Sequence, residues 1–229
     1  MEHFVTKRDL SKITGKVCAL TFDDGPSDAT EKVLDLLQQY GCTASFFVVG
    51  RYIHTKEQIE TMRRAMSLGC TIENHSWSHV NMRQMTREQV LEEFSKNQEM
   101  IYENVGEYPV FFRAPGLAIS ELMVDTIPLH FANGRGGSAD WNSNPDDPVT
   151  SDLETRVKGY LSGNEDGLIK LMHDCARNHL TPEALAIALP KLLDEGYSFV
   201  NLRELFTIKG QPLTPVPGGK KVWTVVEQR

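Results

Sequence analysis

Short, nearly unbroken apolar runs alternate along this chain with longer stretches whose apolar residues recur at helical spacing. The runs at 16–22, 42–49, 70–72, 110–112, 128–132, 168–172 and 197–202 read as strands. Continuous rather than alternating apolarity, clearest in Phe46-Phe47-Val48-Val49, suits strands covered on both faces. Between them the spacing predicts helices. One opens at Ser27-Asp28 and stops at Gly41; others cover 54–67, 86–104, a stretch beginning near Ser120, 150–161, 181–195 and a short 203–206. Thr181-Pro182-Glu183 has the order of a cap, a first-turn proline and an early acid. The tail, with Pro212, Pro215, Pro217, Gly218 and Gly219, is expected to add one peripheral strand at 221–226.

Strand then helix, repeated about seven times, argues for an α/β architecture with a largely parallel sheet. An open doubly wound sheet and a closed barrel both satisfy that order. The placement of polar residues favours the barrel. Asp23-Asp24, His75, Arg113 and His173 all fall just past the C-terminal ends of predicted strands, and in a barrel those ends converge on one face. Polar residues are common at strand ends in any fold, so one such residue says little. Four clusters at four ends point to a shared site.

His75-Ser76-Trp77-Ser78-His79 spaces two imidazoles four residues apart, which in a helical turn puts them on one face. In HExxH zinc proteases the residue after the first histidine is a glutamate base. Here it is Ser76, so the pair must take its third ligand and its base from elsewhere, and Asp23-Asp24 can supply one of each. Two imidazoles and a carboxylate are a common three-ligand set for catalytic zinc that leaves a position for water. Cobalt, nickel or iron also suit these donors. Alone, an HxxxH is weak evidence; Asp24 can equally cap a helix and His79 face solvent.

Hydrolysis of an acyl group also needs a base, an acid and something positive for the oxyanion. Asp23 is the candidate base, with Arg113 placed to hold its carboxylate in a rigid fork. His173 is the candidate acid; Asp140 and Asp174 both qualify as its carboxylate partner. Trp141 offers an apolar wall, though an ordinary core tryptophan reads the same way. His179 lies in a polar loop on the same face, where solvation is the plainer reading. No GxSxG elbow is present, which counts against a serine esterase.

Composition narrows the class further. At 229 residues, 40% hydrophobic and 24% charged, the chain is an ordinary globular protein of about one domain. A net charge of −7 gives no basic footprint, so nucleic acid is not an expected partner. The four cysteines include no CxxC pair and read as free thiols. No apolar run approaches the ~20 residues that span a membrane, so none is expected to be crossed. The first twenty residues lack the apolar core of a secretory leader. Both a cytoplasmic protein and a domain cut from a secreted, multidomain parent remain compatible, and a monomer is expected.

Five segments together resemble the polysaccharide deacetylase family, also called the NodB-homology family or carbohydrate esterase family 4. They are Thr21-Phe22-Asp23-Asp24-Gly25-Pro26, His75-Ser76-Trp77-Ser78-His79, Arg113-Ala114-Pro115-Gly116, Asp140-Trp141 and Leu171-Met172-His173. The resemblance implies a distorted (β/α) barrel of seven or eight mainly parallel strands. It implies Asp23 as base, Asp24, His75 and His79 as ligands of one divalent metal ion, zinc above cobalt or nickel, and Ser76 as a support for the loop between the histidines. Arg113 orients Asp23, and Asp140 becomes the better partner of His173. Gly116 replaces a bulkier residue usual there; its N–H can still serve the oxyanion, beside Trp141. The domains implied are an N-terminal extension at 1–15, the catalytic domain at 16–209 and a packed tail at 210–229. The segments around Asn133, Gly136, Thr181 and Asn201 look most like the acetylxylan esterase branch. The expected substrate is therefore an acetylated polysaccharide, O-acetylated xylan first. N-deacetylation of chitooligosaccharide or peptidoglycan is the enzyme alternative, and an inactive polysaccharide-binding domain the non-enzyme one.

Overall fold

Lys16–Asp23 forms the first strand, β1, and its burial is continuous from Val17 onward, as the unbroken apolar run requires. The computed structural model describes residues 8–140 and 151–229. In chain order, α1 (Asp28–Tyr40), β2 (Ala44–Val48), α2 (Lys56–Ser67), β3 (Thr71–Asn74), α3 (Arg87–Val105) and β4 (Phe111–Phe112) follow. Then come α4 (Glu121–Thr126), β5 (His130–Ala132), α5 (Leu153–Leu161), β6 (Ile169–His173), α6 (Thr181–Asp194), β7 (Tyr197–Val200), α7 (Leu202–Ile208) and β8 (Val222–Trp223). Helix starts are set by local chemistry: Ser27, Thr55, Thr86 and Asn201 each make a reciprocal capping box with the third helical residue.

The sheet runs β6-β1-β2-β3-β4-β5-β8, with β7 paired to the first half of β1, and every ladder between these strands is parallel. The sheet curls until its ends meet. Arg135 bridges Lys170 and Leu168 bridges Val225, which brings the far edge back to β6. The result is an α/β, distorted (β/α) barrel, the closed form that the polar residues at the strand ends favour and the family resemblance implies. Successive side chains on a strand face opposite ways. Val17 and Ala19 pack inside the barrel with Phe47, Phe111, Ile169, Val200 and Trp223. Cys18, Leu20 and Phe22 face the helices, against Leu34, Leu37 and Leu189.

Two local expectations need correction. Residues 75–79 form no helix; Ser76 and His79 have φ of 65° and 58°, so the chain turns tightly instead. Thr181 does not cap α6, whose N-cap is Leu180. Its hydroxyl is turned inward and donates to His173 O at 2.7 Å, a better use for a buried hydroxyl than a helix end. All four cysteines are free thiols. No helix among the described residues is long and apolar enough to cross a membrane.

Candidate active site

The cluster at the centre is built from two strand ends. β1 delivers Asp23, and the next residue, Asp24, turns sharply with φ 71°, its N–H donating to Phe47 O at 3.1 Å. Gly25 is required by a close approach: a Cβ there would stand 2.5 Å from the Asp174 carboxylate oxygens. β3 delivers His75, whose N–H donates to Val48 O at 3.1 Å. Ser76 supports the loop beyond it, because its Oγ accepts from His79 N at 3.1 Å while its own N–H donates to Asn74 Oδ1 at 2.9 Å.

His75 Nδ1 lies 2.8 Å from Arg113 O. A carbonyl only accepts, so Nδ1 carries the proton and Nε2 presents its lone pair. Burial pulls the His75 pKa down to about 3, so the ring is neutral, the form that binds a metal. Its Nε2 is 3.5 Å from Asp24 Oδ1, and His79 Nε2 is 3.2 Å from the same oxygen. Donor atoms ~2.0–2.1 Å from a tetrahedral ion are separated by roughly 3.3 Å, so these spacings fit one. Asp24 Oδ1 is buried without a hydrogen-bond partner, the condition a cation would relieve. Asp24, His75 and His79 thus form a single site able to hold a divalent cation.

Asp23 points the same way from the last residue of β1. Its Oδ1 accepts from Arg113 Nη1 at 2.5 Å, and its Oδ2 is 3.7 Å from His75 Nε2. Arg113 is fully buried and is held at three further points: Nε donates to Ala132 O at 2.5 Å, Nη2 to Thr21 Oγ1 at 2.9 Å, and its ring neighbour is Phe47, 4.1 Å away.

His173 is the register partner of Asp23 on the adjacent strand. Of the two carboxylates open to it in the sequence, Asp140 is the one in contact: its Oδ2 accepts from His173 N at 2.7 Å and lies 3.0 Å from Nδ1. Burial opposes the imidazolium, yet the Asp140 hydrogen bond and the charges of Asp23, Asp140 and Asp24 outweigh it and hold the pKa above the usual histidine value. Asp140 is fixed in turn by Tyr160, whose OH donates to Oδ1 at 2.5 Å, and by Arg156, whose Nη2 donates to Asp140 O at 2.9 Å. Arg156 also donates to Thr181 Oγ1 at 2.6 Å, closing a loop back to His173 O. Sequence reasoning missed Tyr160, Arg156 and Thr181. Asp174 has a different task from the one weighed for it. Its Oδ2 accepts from Thr30 Oγ1 at 2.5 Å, and its N–H donates to Asp23 O at 3.1 Å, pinning the metal-binding turn to β6.

These groups open into one cavity of about 690 Å³. Its walls are small: Gly116, Gly134, Gly136 and Gly137, with Leu117 and Leu171. Gly116 has φ 60° and open space where a Cβ would stand, so a glycine relieves the backbone and widens the entrance together. Trp141 lies outside the described residues.

The sequence matches the family profile "Polysaccharide deacetylase" over residues 11–128, which includes Asp23, Asp24, His75, His79 and Arg113. The chain belongs to the polysaccharide deacetylase family. It is 34% identical over 195 residues to a bifunctional xylanase/deacetylase of Pseudobutyrivibrio xylanivorans, an alignment covering 85% of this chain and 31% of that one. A peptidoglycan-N-acetylglucosamine deacetylase of Listeria monocytogenes is 32% identical over 199 residues, covering 86% and 40%. The chain therefore spans less than half the length of these curated relatives. Among solved structures, a family 4 acetyl xylan esterase from Clostridium thermocellum, in complex with a cobalt ion, aligns with a TM-score of 0.83 and 37% identity over 92% of this chain and 99% of that one. With this fold and this cluster, the chain is a metal-dependent deacetylase domain.

Proposed function

We propose that this domain, residues 16–209 with 210–229 packed as a tail, hydrolyses O-acetyl esters of acetylated xylan on a zinc site formed by Asp24, His75 and His79. When bound, the ion lowers the pKa of a water toward ~7 and draws charge from the acetyl carbonyl. Asp23 is the base: Arg113 occupies its Oδ1, which leaves Oδ2 to receive the water's proton. His173 is the acid. Asp140 holds its Nδ1, so Nε2 is the nitrogen that gives a proton to the departing sugar oxygen. Gly116 lines the same cavity, and its N–H is assigned to the developing oxyanion.

The observation that carries the reading is the pairing of Asp23 with His173 across neighbouring strands, at the lip of the cavity that also holds the three-ligand cluster. A base and an acid so placed can serve one acetyl carbon without rearrangement. The preference for an ester of xylan rests on the acetyl xylan esterase and xylanase/deacetylase relatives. The peptidoglycan relative supports a second reading, hydrolysis of an N-acetyl amide with the same groups. Acetate release measured side by side on acetylxylan, chitopentaose and N-acetylated cell wall separates the two. Fastest release from acetylxylan is expected; turnover of the amide substrates alone would overturn the ester preference.

A further inference from the structure

Asp24 and His79 line a second hollow as well, a trough of about 1070 Å³ bounded by α1, the segment before α2 and the loop after β6. Among the described residues, those two proposed ligands are the only ones shared between trough and cavity, so the trough and the cavity are two arms meeting at the proposed metal site. Their chemistry differs. Around the catalytic groups the cavity is lined by glycines, leucines and Ala114, which suit an acetyl group and one sugar ring, and its one basic wall residue outside the catalytic groups, Arg135, is paired with Glu165. The trough carries two basic side chains, Lys32 on α1 and Arg177 on the turn after β6. Neither makes a side-chain ion pair among the described residues, and both are exposed. Besides the ligand Asp24, the one carboxylate lining this trough among the described residues is Asp28, in the first turn of α1, where the helix dipole offsets its charge. His54 adds a ring nitrogen, and Tyr52 supplies a half-buried ring 6.5 Å from that of His79. The Arg51 guanidinium stands over the Tyr52 ring at 5.4 Å. The four charged side chains of the trough among the described residues, Asp24, Asp28, Lys32 and Arg177, balance to zero in a chain of net charge −7, and a divalent ion held by Asp24 would tip the trough positive.

We propose that this arm is an acidic-sugar subsite: Lys32 and Arg177 bind the carboxylate of a sugar next to the one that carries the acetyl group. The proposal rests on the deacetylase reading and adds the charge of the substrate to it. Guanidinium and ammonium groups recognise carboxylates through charge-assisted hydrogen bonds, and a hollow of this size holds several sugar rings. Such a carboxylate has two sources, a uronic-acid branch on a plant polysaccharide or the lactyl ether of a cell-wall glycan.

The test uses the metal-loaded chain and two matched pairs. One pair is acetylated xylo-oligosaccharide with and without a uronic-acid branch; the other is N-acetylated glycan oligomer with and without the lactyl carboxylate. For the pair with the right source, kcat/KM should favour the acidic member by about tenfold at low salt, the size expected of two exposed charge pairs. The ratio should shrink as salt rises and fall toward one in the Lys32→Gln/Arg177→Gln double variant. Calorimetric affinities for the same pairs read the subsite even where no acetate is released. Absence of acetate release from every member of both pairs would overturn the deacetylase reading alone. A ratio near one for both pairs, in rate and in affinity, would overturn the subsite, as would a preference that survives the double substitution.

Discussion

Arg113 Nη1 donates to Asp23 Oδ1 at 2.5 Å, and the two side chains are 0% and 3% exposed. The contact ties the end of β4 to the end of β1 and leaves the other carboxylate oxygen facing the metal cluster. Asp23→Asn keeps an acceptor for the guanidinium but removes the proton acceptor. It should fold, retain metal and lose ~100- to 10,000-fold in kcat. A near-wild-type rate with metal verified by elemental analysis would reject Asp23 as the base.

His79, a proposed ligand, is held in a left-handed backbone conformation, φ 58°, which a β-carbon makes costly. Such strain is of order 1–3 kcal/mol and persists at sites where the geometry is needed. His79→Gly should therefore weaken metal binding at least tenfold while raising the melting temperature of the metal-free protein. Metal titration and thermal unfolding in chelator check the two halves independently. Unchanged metal affinity would exclude His79 as a ligand.

The raised pKa of His173 gives the pH profile a definite sign. The acid must carry its proton, so kcat/KM should decline as pH rises through that pKa. Burial favours the neutral ring, and the Asp140 hydrogen bond is the largest influence acting the other way. In Asp140→Asn the alkaline decline should therefore begin at lower pH. A limb that does not move would separate His173 from the proton transfer.

Asp174 bears on stability instead. Burial pushes its pKa up to about 7; the Thr30 hydrogen bond opposes the rise and the Asp23 and Asp24 charges add to it. The unfolded carboxyl titrates near 3.8, so between about pH 4 and 7 the folded state holds a proton that the unfolded state has lost. Stability from this group is full below the lower value and is lost as pH rises through the higher one. The slope is at most ~1.4 kcal/mol per pH unit. In chelator, Asp174→Asn should flatten the fall of melting temperature across that window. An equal slope in both proteins would mean that Asp174 is ionised in the fold.

Much of the site was legible because its residues stand where strands end. The apolar runs stop at Asp23, Asn74, Phe112 and His173, and the residues at or just past those points are the ones the barrel brings together. The support behind them was not legible. Arg156 and Tyr160 are buried on α5, where periodicity marks only a face turned inward and says nothing of a carboxylate waiting for Tyr160. The shape of 75–79 was hidden because the spacing of His75 and His79 fits a helix, while the Ser76 hydroxyl and the Asn74 amide select a turn. The closed barrel was expected, but the contacts that close it were not legible: they are isolated bridges at Arg135 and Val225, too short to leave a pattern. Tyr52 and His54 drew no attention because nothing local distinguishes a trough wall from a surface loop.

The account turns on one cation held by Asp24, His75 and His79. Acetate release followed while zinc is titrated into chain shown by elemental analysis to be metal-free tests this most directly. The expected curve starts near zero and saturates at one ion per chain, with the saturation lost in His79→Gly at the same concentrations. Full activity in the verified metal-free protein would contradict it.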